Sequence, residues 1–433
     1  MNYQETLDYL YSRLPVFHNI GARAFKPGLQ TTMELCKLAG NPQNDYPTIH
    51  IGGTNGKGST SHMIAAILQK AGYKVGLYTS PHLKDFRERI RVNGIFANED
   101  FIANFIADHK SNIDRLSPSF FEVAVSMAFA YFNYEKVDVA VIEVGMGGRL
   151  DSTNIIHPEL SLITNISLDH TQFLGDTLEK IAAEKAGIIK QGVPVVISEY
   201  QSEEISTVFT QAATSLHASL YYGSQLYDIT KVGFSNGRMN VKVFEKSTME
   251  LVFPNLQLDL TGDYQVKNLG GVLTAVKILK SKGWQIQDDD IVSALQSVVE
   301  LNGLQGRWQK LQDNPAVYCD TAHNPAGLSE TMKQFTSISS GQARFVIGFV
   351  GDKDISSMLK LFPANGKFYF CQPSNMRALK AEDLQRMALQ VGLQGNVYPD
   401  VNEALKEAIW EADPDDTIYV GGSTFVVADL EQL

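Results

Sequence analysis

Apolar positions near the start of the chain recur at helical spacing, Leu7, Leu10, Tyr11 and Leu14, and residues 29–38 read as a further helix that stops at Gly40-Asn41-Pro42. The pattern then changes. Residues 46–51 form a short apolar run, 52–58 a glycine-rich turn, and 59–71 a helical stretch with Met63, Ile64, Ile67 and Leu68 on its inner face. Further strands are predicted at 74–79, 137–144, 160–166 and 193–198, with helical stretches between most of them. This alternation predicts a mostly parallel sheet whose ligands gather at the carboxyl ends of its strands. Between 220 and 260, short alternating segments such as 239–244 predict a small antiparallel subdomain, followed by a helix from near Tyr264. Past Asn302-Gly303 the alternation restarts, with strands at 316–319, 344–349, 367–371 and 417–420 and helices at 381–391 and 402–411. The expected division is into two α/β domains, 1–302 and 303–433.

Composition narrows the class. The 433 residues are 44% hydrophobic and 20% charged, ordinary values for a globular chain able to bury large cores. A formal charge of -11 argues against a nucleic-acid partner and requires any anion site to be local. Cys36, Cys319 and Cys371 stand far apart without metal-ligand spacing, which suggests reduced thiols packed in cores. Residues 1–14 mix acidic with apolar positions, unlike a secretory signal, and no apolar run is long enough to span a bilayer. A cytoplasmic location without a membrane partner is expected.

The strongest chemical signal is Gly53-Thr54-Asn55-Gly56-Lys57-Gly58-Ser59-Thr60 between a strand and a helix. Glycines let backbone amides approach phosphate oxygens, the helix presents its positive end, and Lys57 would neutralise the β and γ phosphates. It is a variant of the P-loop, since Gly53 and Gly56 enclose two residues rather than four and Gly58 separates the lysine from the hydroxyls. Glu143 ends the apolar run Val139-Ala140-Val141-Ile142, where a carboxylate must find water, a partner or a cation.

This loop resembles that of the Mur ligases and, with Gly58, that of the folylpolyglutamate and dihydrofolate synthases. The segments Tyr78-Thr79-Ser80-Pro81-His82-Leu83, Glu143-Val144-Gly145-Met146-Gly147-Gly148-Arg149-Leu150-Asp151, Leu168-Asp169-His170, Glu184-Lys185-Ala186-Gly187-Ile188 and Asp320-Thr321-Ala322-His323-Asn324-Pro325 match the same family, in order, through nearly the whole chain. The resemblance implies an N-terminal P-loop ATPase-like domain with a mostly parallel sheet and small antiparallel subdomain, plus a C-terminal Rossmann-like α/β glutamate-ligase domain. It implies that ATP is bound by residues 53–60 with Asn268, Arg307, Asp320 and His323, with Arg307 supplied across the domain cleft. It further implies two Mg2+ sites. Ser80 and Glu143 would hold the first with ATP phosphate oxygens, assisted by Ser59 or Thr60. His170 and a carbamylated Lys185 would serve the second, with Asp169 beside them. A monovalent cation is a further cofactor on this reading.

The implied reaction joins L-glutamate to a folate, and to dihydropteroate as well, through an acyl phosphate. Arg149-Leu150-Asp151 resembles the bacterial versions that take both acceptors, with Asp151 on the pterin side. A monomer is expected. A peptidoglycan Mur ligase would need a sizeable domain for a uridine nucleotide, for which the stretch before Gly52 leaves little room. A nucleotide-binding scaffold would have lost metal residues, whereas Ser80, Glu143, His170 and Lys185 are all present. A monofunctional folylpolyglutamate synthase is the remaining alternative.

Overall fold

Continuous apolar runs become strands covered on both faces, as a parallel sheet requires. In the computed structural model, which describes residues 1–15, 28–351 and 353–433, these strands are β1 (Thr48–Gly52), β2 (Val75–Tyr78), β3 (Ile90–Val92), β4 (Ile95–Phe96), β5 (Val139–Glu143), β6 (Leu160–Ile163), β7 (Val195–Ile197) and β8 (Leu220–Tyr222). Their order is β4-β3-β2-β5-β1-β6-β7-β8, parallel from β2 to β8, with β3 and β4 antiparallel at one edge. β1 is central and pairs with both β5 and β6. Its register sets Ile51 beside Glu143 and Gly52 beside Ile163, so the loops after the three strands start side by side. Tyr78, Ala140 and Ile142 join a core with Phe120, Val123, Phe129 and Phe132 of the helix Phe120–Tyr134.

The antiparallel sheet consists of β9 (Tyr227–Ser235), β10 (Arg238–Glu245) and β11 (Glu250–Leu258) in the order β11-β10-β9. It begins later than the expected residue 220, because Leu220–Tyr222 is captured as parallel β8 at the edge of the large sheet. The helix Gln265–Ser281 follows.

The C-terminal sheet holds β12 (Gln309–Gln312), β13 (Ala316–Asp320), β14 (Ala343–Ile347), β15 (Lys367–Cys371), β16 (Gly395–Tyr398) and β17 (Thr417–Gly421), ordered β12-β13-β17-β14-β15-β16. Only β12 is antiparallel to its neighbour within this sheet. Phe335, Phe345, Phe368, Phe370 and Tyr419 fill its core. The chain divides into two compact units, Met1–Asp259 with Gln265–Leu304, and Leu260–Tyr264 with Gln305–Leu433. All three cysteines are free and buried. Among the described residues no helix is long and apolar enough to cross a membrane.

Candidate active site

The glycine-rich turn leaves β1 and enters the helix Lys57–Lys70 through Gly56, whose φ of 86° belongs to the left-handed region that favours glycine. A Cβ on Gly56 would overlap the Asn268 side chain, and one on Gly53 would overlap that of Thr164, so both glycines mark close packing as well as a turn. No side chain caps this helix, which leaves its first amides facing the loop. The loop is braced from β6: Thr54 N donates to Asn165 O (2.8 Å), Asn55 N to Asn165 Oδ1 (3.1 Å), and Thr164 Oγ1 to Asn55 O (2.5 Å). Lys57 Nζ donates to Thr54 O at 3.1 Å.

Within the same unit the helix Gln265–Ser281 supplies Asn268, as the sequence suggested, and also Gln265, which it did not. Asn268 Nδ2 donates to Gln265 Oε1 (2.8 Å), and Gln265 Nε2 donates to Ser59 Oγ (3.0 Å). That donation uses one lone pair of the Ser59 hydroxyl and leaves the other, with the hydroxyl proton, for a ligand. Thr60 is fully buried and its Oγ1 has no hydrogen-bond partner among the described residues. Gly58 lies in the helix's first turn, where its carbonyl meets His62 Nδ1 at 2.7 Å.

Lys185 departs most from ordinary helix behaviour. A lysine near a helix end is usually a solvated cation, but Lys185, in Leu178–Ala186, is 3% exposed and its Nζ donates to Gly53 O at 2.7 Å. Burial, then the nearby Lys57, lowers its pKa to about 7, partly opposed by Asp169 and Asp151. Its amine is therefore readily neutral.

Glu143 is buried at the end of β5, and its Oε2 accepts from Ser80 N at 3.0 Å. His170 has a φ of 49° and opens the short helix Thr171–Leu174, its backbone N–H held by Asp169 Oδ1 at 2.8 Å. The Asp169 carboxylate stands 3.8 Å from His170 Nε2. Asp151 is buried, with Oδ1 accepting from Thr153 N (3.0 Å) and Thr153 Oγ1 (2.6 Å) and Oδ2 from Met146 N (2.9 Å). Its carboxylate thus shapes the glycine loop after β5. Burial raises its pKa, against these hydrogen bonds.

Among the described residues no cluster of three or more His, Cys, Asp or Glu side chains assembles. The fit to magnesium is instead of the kind that cation favours, one carboxylate and hydroxyl oxygens completed by substrate phosphates and water. Ser59, Ser80 and Glu143 supply such donors. Lys185 fits only if modified, since its amine as it stands is a hydrogen-bond donor.

In the second unit, Asp320 ends β13 and is buried. Its Oδ1 accepts from Ala322 N (2.8 Å), and its Oδ2 from Trp308 N (2.7 Å) and Tyr264 Oη (2.7 Å). Burial raises its pKa and the Arg307 charge pulls it down. Arg307 donates to Gly306 O at 3.1 Å and to Thr321 Oγ1. His323 Nδ1 lies 3.0 Å from Thr321 O. The sequence pointed to Arg307, Asp320 and His323 but not to Tyr264.

Residues 51–276 match the Mur ligase middle domain, and 306–424 match the Mur ligase glutamate ligase domain. Together these define an ATP-dependent ligase of the Mur type. The chain is 34% identical to the dihydrofolate synthase/folylpolyglutamate synthase of Bacillus subtilis, over 99% of this chain and 98% of that protein. It is 30% identical to the folylpolyglutamate synthase of Lacticaseibacillus casei, over 100% of this chain and 98% of that one. Escherichia coli FolC, solved in complex with DHPP and ADP, superposes with a TM-score of 0.85 at 28% identity, over 99% of this chain and 96% of that one. The chain therefore belongs to the Mur ligase family, in its branch of dihydrofolate and folylpolyglutamate synthases. The chemistry of that branch is ATP-dependent ligation of glutamate to folates.

Proposed function

We propose that this chain adds L-glutamate to both dihydropteroate and reduced folates, and that Lys185 works as its carbamate. The observation that carries the carbamate is the buried Lys185 amine, held on the carbonyl of the phosphate loop with its pKa near 7, and the two acceptors rest on the 34% identity with the dihydrofolate synthase/folylpolyglutamate synthase of Bacillus subtilis.

An acceptor carboxylate oxygen attacks the γ phosphorus of ATP; a P–O bond forms, the bond to the β-γ bridging oxygen breaks, and its electron pair leaves with ADP. The acyl phosphate provides the leaving group that a carboxylate lacks. The neutral amine of glutamate then attacks the acyl carbon, loses its proton to water, and the tetrahedral anion expels phosphate. Lys57 and the open amides at its helix start neutralise and orient the β and γ phosphates. Arg307 meets charge developing on the transferred phosphoryl group. At Lys185 the neutral Nζ attacks carbon dioxide; an N–C bond forms, one C=O π bond breaks with its electron pair moving to oxygen, and a proton is lost from nitrogen to solvent. The product keeps one N–H for Gly53 O and gains an anionic pair of oxygens. Magnesium, held by Ser59, Ser80 and Glu143 and by His170 with the modified Lys185, would neutralise phosphate charge.

The test is phosphate release that depends on both glutamate and acceptor, run with dihydropteroate and with a reduced folate. Turnover with folate alone would favour the monofunctional reading suggested by the Lacticaseibacillus casei relative. Lys185→Ala should lose at least about a hundredfold in turnover and Lys185→Arg should not restore it, because a cation does not replace an anionic ligand. A fully active Lys185→Ala would overturn the carbamate.

A further inference from the structure

The turn formed by residues 151–155 fastens two separate parts of the site. One line runs to the helix that carries Lys185. The Asn154 side chain is buried, and its Nδ2 donates both to Arg149 O (3.1 Å) and to Gly187 O (2.9 Å), two residues beyond Lys185. Its Oδ1 has no hydrogen-bond partner among the described residues, so the two donated bonds are what the amide contributes. The same strip of contact includes Arg149 N to Glu184 O (2.8 Å) and the Arg149–Glu184 ion pair (2.9 Å). It leaves no slack. A Cβ on Gly187 would overlap the Arg149 backbone, and one on Gly148 would stand 3.0 Å from Lys185 Cα.

The other line runs to the acceptor of the Lys185 hydrogen bond. Thr153 Oγ1 donates to Asp151 Oδ1 (2.6 Å), so it accepts from His50 Nε2, 2.8 Å away. His50 is fully buried and neutral, its pKa pushed down to about 3 by burial. It sits on β1, which leads directly to Gly53, whose carbonyl receives Lys185 Nζ.

We propose that Asn154 is a positioning residue for Lys185: its amide staples the backbone of Arg149 to that of Gly187 and so holds Nζ in place on the phosphate loop. Thr153 and His50 fix the loop's side of the same bond. The consequence for the carbamate rests on the function proposed above, whereas the positioning requires only that Lys185 acts at the loop. Residues that orient a reacting or ligating group without touching the ligand commonly change activity ten- to a hundredfold.

The experiment compares full-length Asn154→Ala and the near-isosteric Asn154→Asp, which loses both N–H donors, with the natural chain. Turnover is expected to fall about tenfold or more, with KM for ATP changed by less than about twofold. The 13C-bicarbonate concentration that half-labels Lys185, read by carbon NMR, should rise by a similar factor. Added to Lys185→Ala, Asn154→Ala should have no further effect on residual turnover. The proposal is overturned if either variant, folded by circular dichroism, turns over and labels like the natural chain. It is equally overturned if the loss is as large on the Lys185→Ala background, which would mark a general stabilising role. If the natural chain takes up no label, the carbamate falls; a turnover loss confined to chains that retain Lys185 would still support the staple.

Discussion

Asp151 and Asp320 each close a buried turn, one in each unit. In each, one oxygen accepts from the backbone two residues ahead, Thr153 N or Ala322 N, and the other from a backbone N–H earlier in the chain, Met146 or Trp308. A hydroxyl completes each set, Thr153 Oγ1 in the first and Tyr264 Oη in the second. Burial raises both acids. The cations beside them differ. Lys185 is buried, with its pKa lowered to about 7, whereas Arg307 carries a planar, delocalised guanidinium. Similar local construction thus serves a chemically adjustable cation in one unit and a planar, delocalised one in the other.

The largest test separates phosphate binding from both. Lys57→Ala should lower glutamate-dependent phosphate release by more than about a thousandfold, since its charge acts directly on the transferring group. Near-normal turnover in that variant would remove the first unit from its assigned role. Arg307→Ala should lower kcat by about a hundredfold while ATP affinity, measured by calorimetry, changes little. A loss confined to ATP affinity would make Arg307 a ground-state ligand.

Stability against pH probes the adjustable cation. Burial lowers the Lys185 pKa from 10.5 to about 7, so between these values the unfolded chain holds a proton that the folded one lacks. Stability must then rise with pH across that window and be independent of this group below it, where both states are protonated. Relative to Lys185→Met in carbon-dioxide-free buffer, the natural chain should gain up to about 1.4 kcal/mol per pH unit between roughly pH 7.5 and 9.5, by urea unfolding. A flat difference would mean that Lys185 is not adjustable. The smallest effects come from stripping the hydroxyls. Thr153→Val and Tyr264→Phe should each cost about 1–3 kcal/mol, the former more because it also strands His50 Nε2. Equal losses would dissolve that distinction.

Sequence reading located what has a short-range signature. The phosphate loop, β5 ending in Glu143 and the strand β13 follow from apolar runs and glycines, whereas the role expected of Asp320 at the end of β13 came from the family resemblance alone. Four-residue β12, with polar Gln309, Lys310 and Gln312, has no such pattern and takes its strand form from pairing with β13. Gln265 and Tyr264 escaped for a related reason. Each acts through one long-range hydrogen bond, to Ser59 and Asp320, that no local period encodes. Burial of Lys185 was likewise invisible, since Leu178–Ala186 reads as an ordinary amphipathic helix whose last turn is covered by the glycine loop.

The five residues Leu260–Tyr264 belong to the second unit although the chain on both sides of them belongs to the first. The polypeptide therefore passes from one unit to the other at three places, after Asp259, after Tyr264 and after Leu304. No single cut releases the second unit whole. A fragment begun at Gln305 would lack Tyr264, leaving Asp320 one donor short in a buried setting, and would also lose Thr261 and Asp263, the partners of Gln334. Dissecting the protein into working halves thus calls for carrying this short segment along as a grafted N-terminal extension, and a gene split at the obvious boundary yields a C-terminal half with an unfinished core.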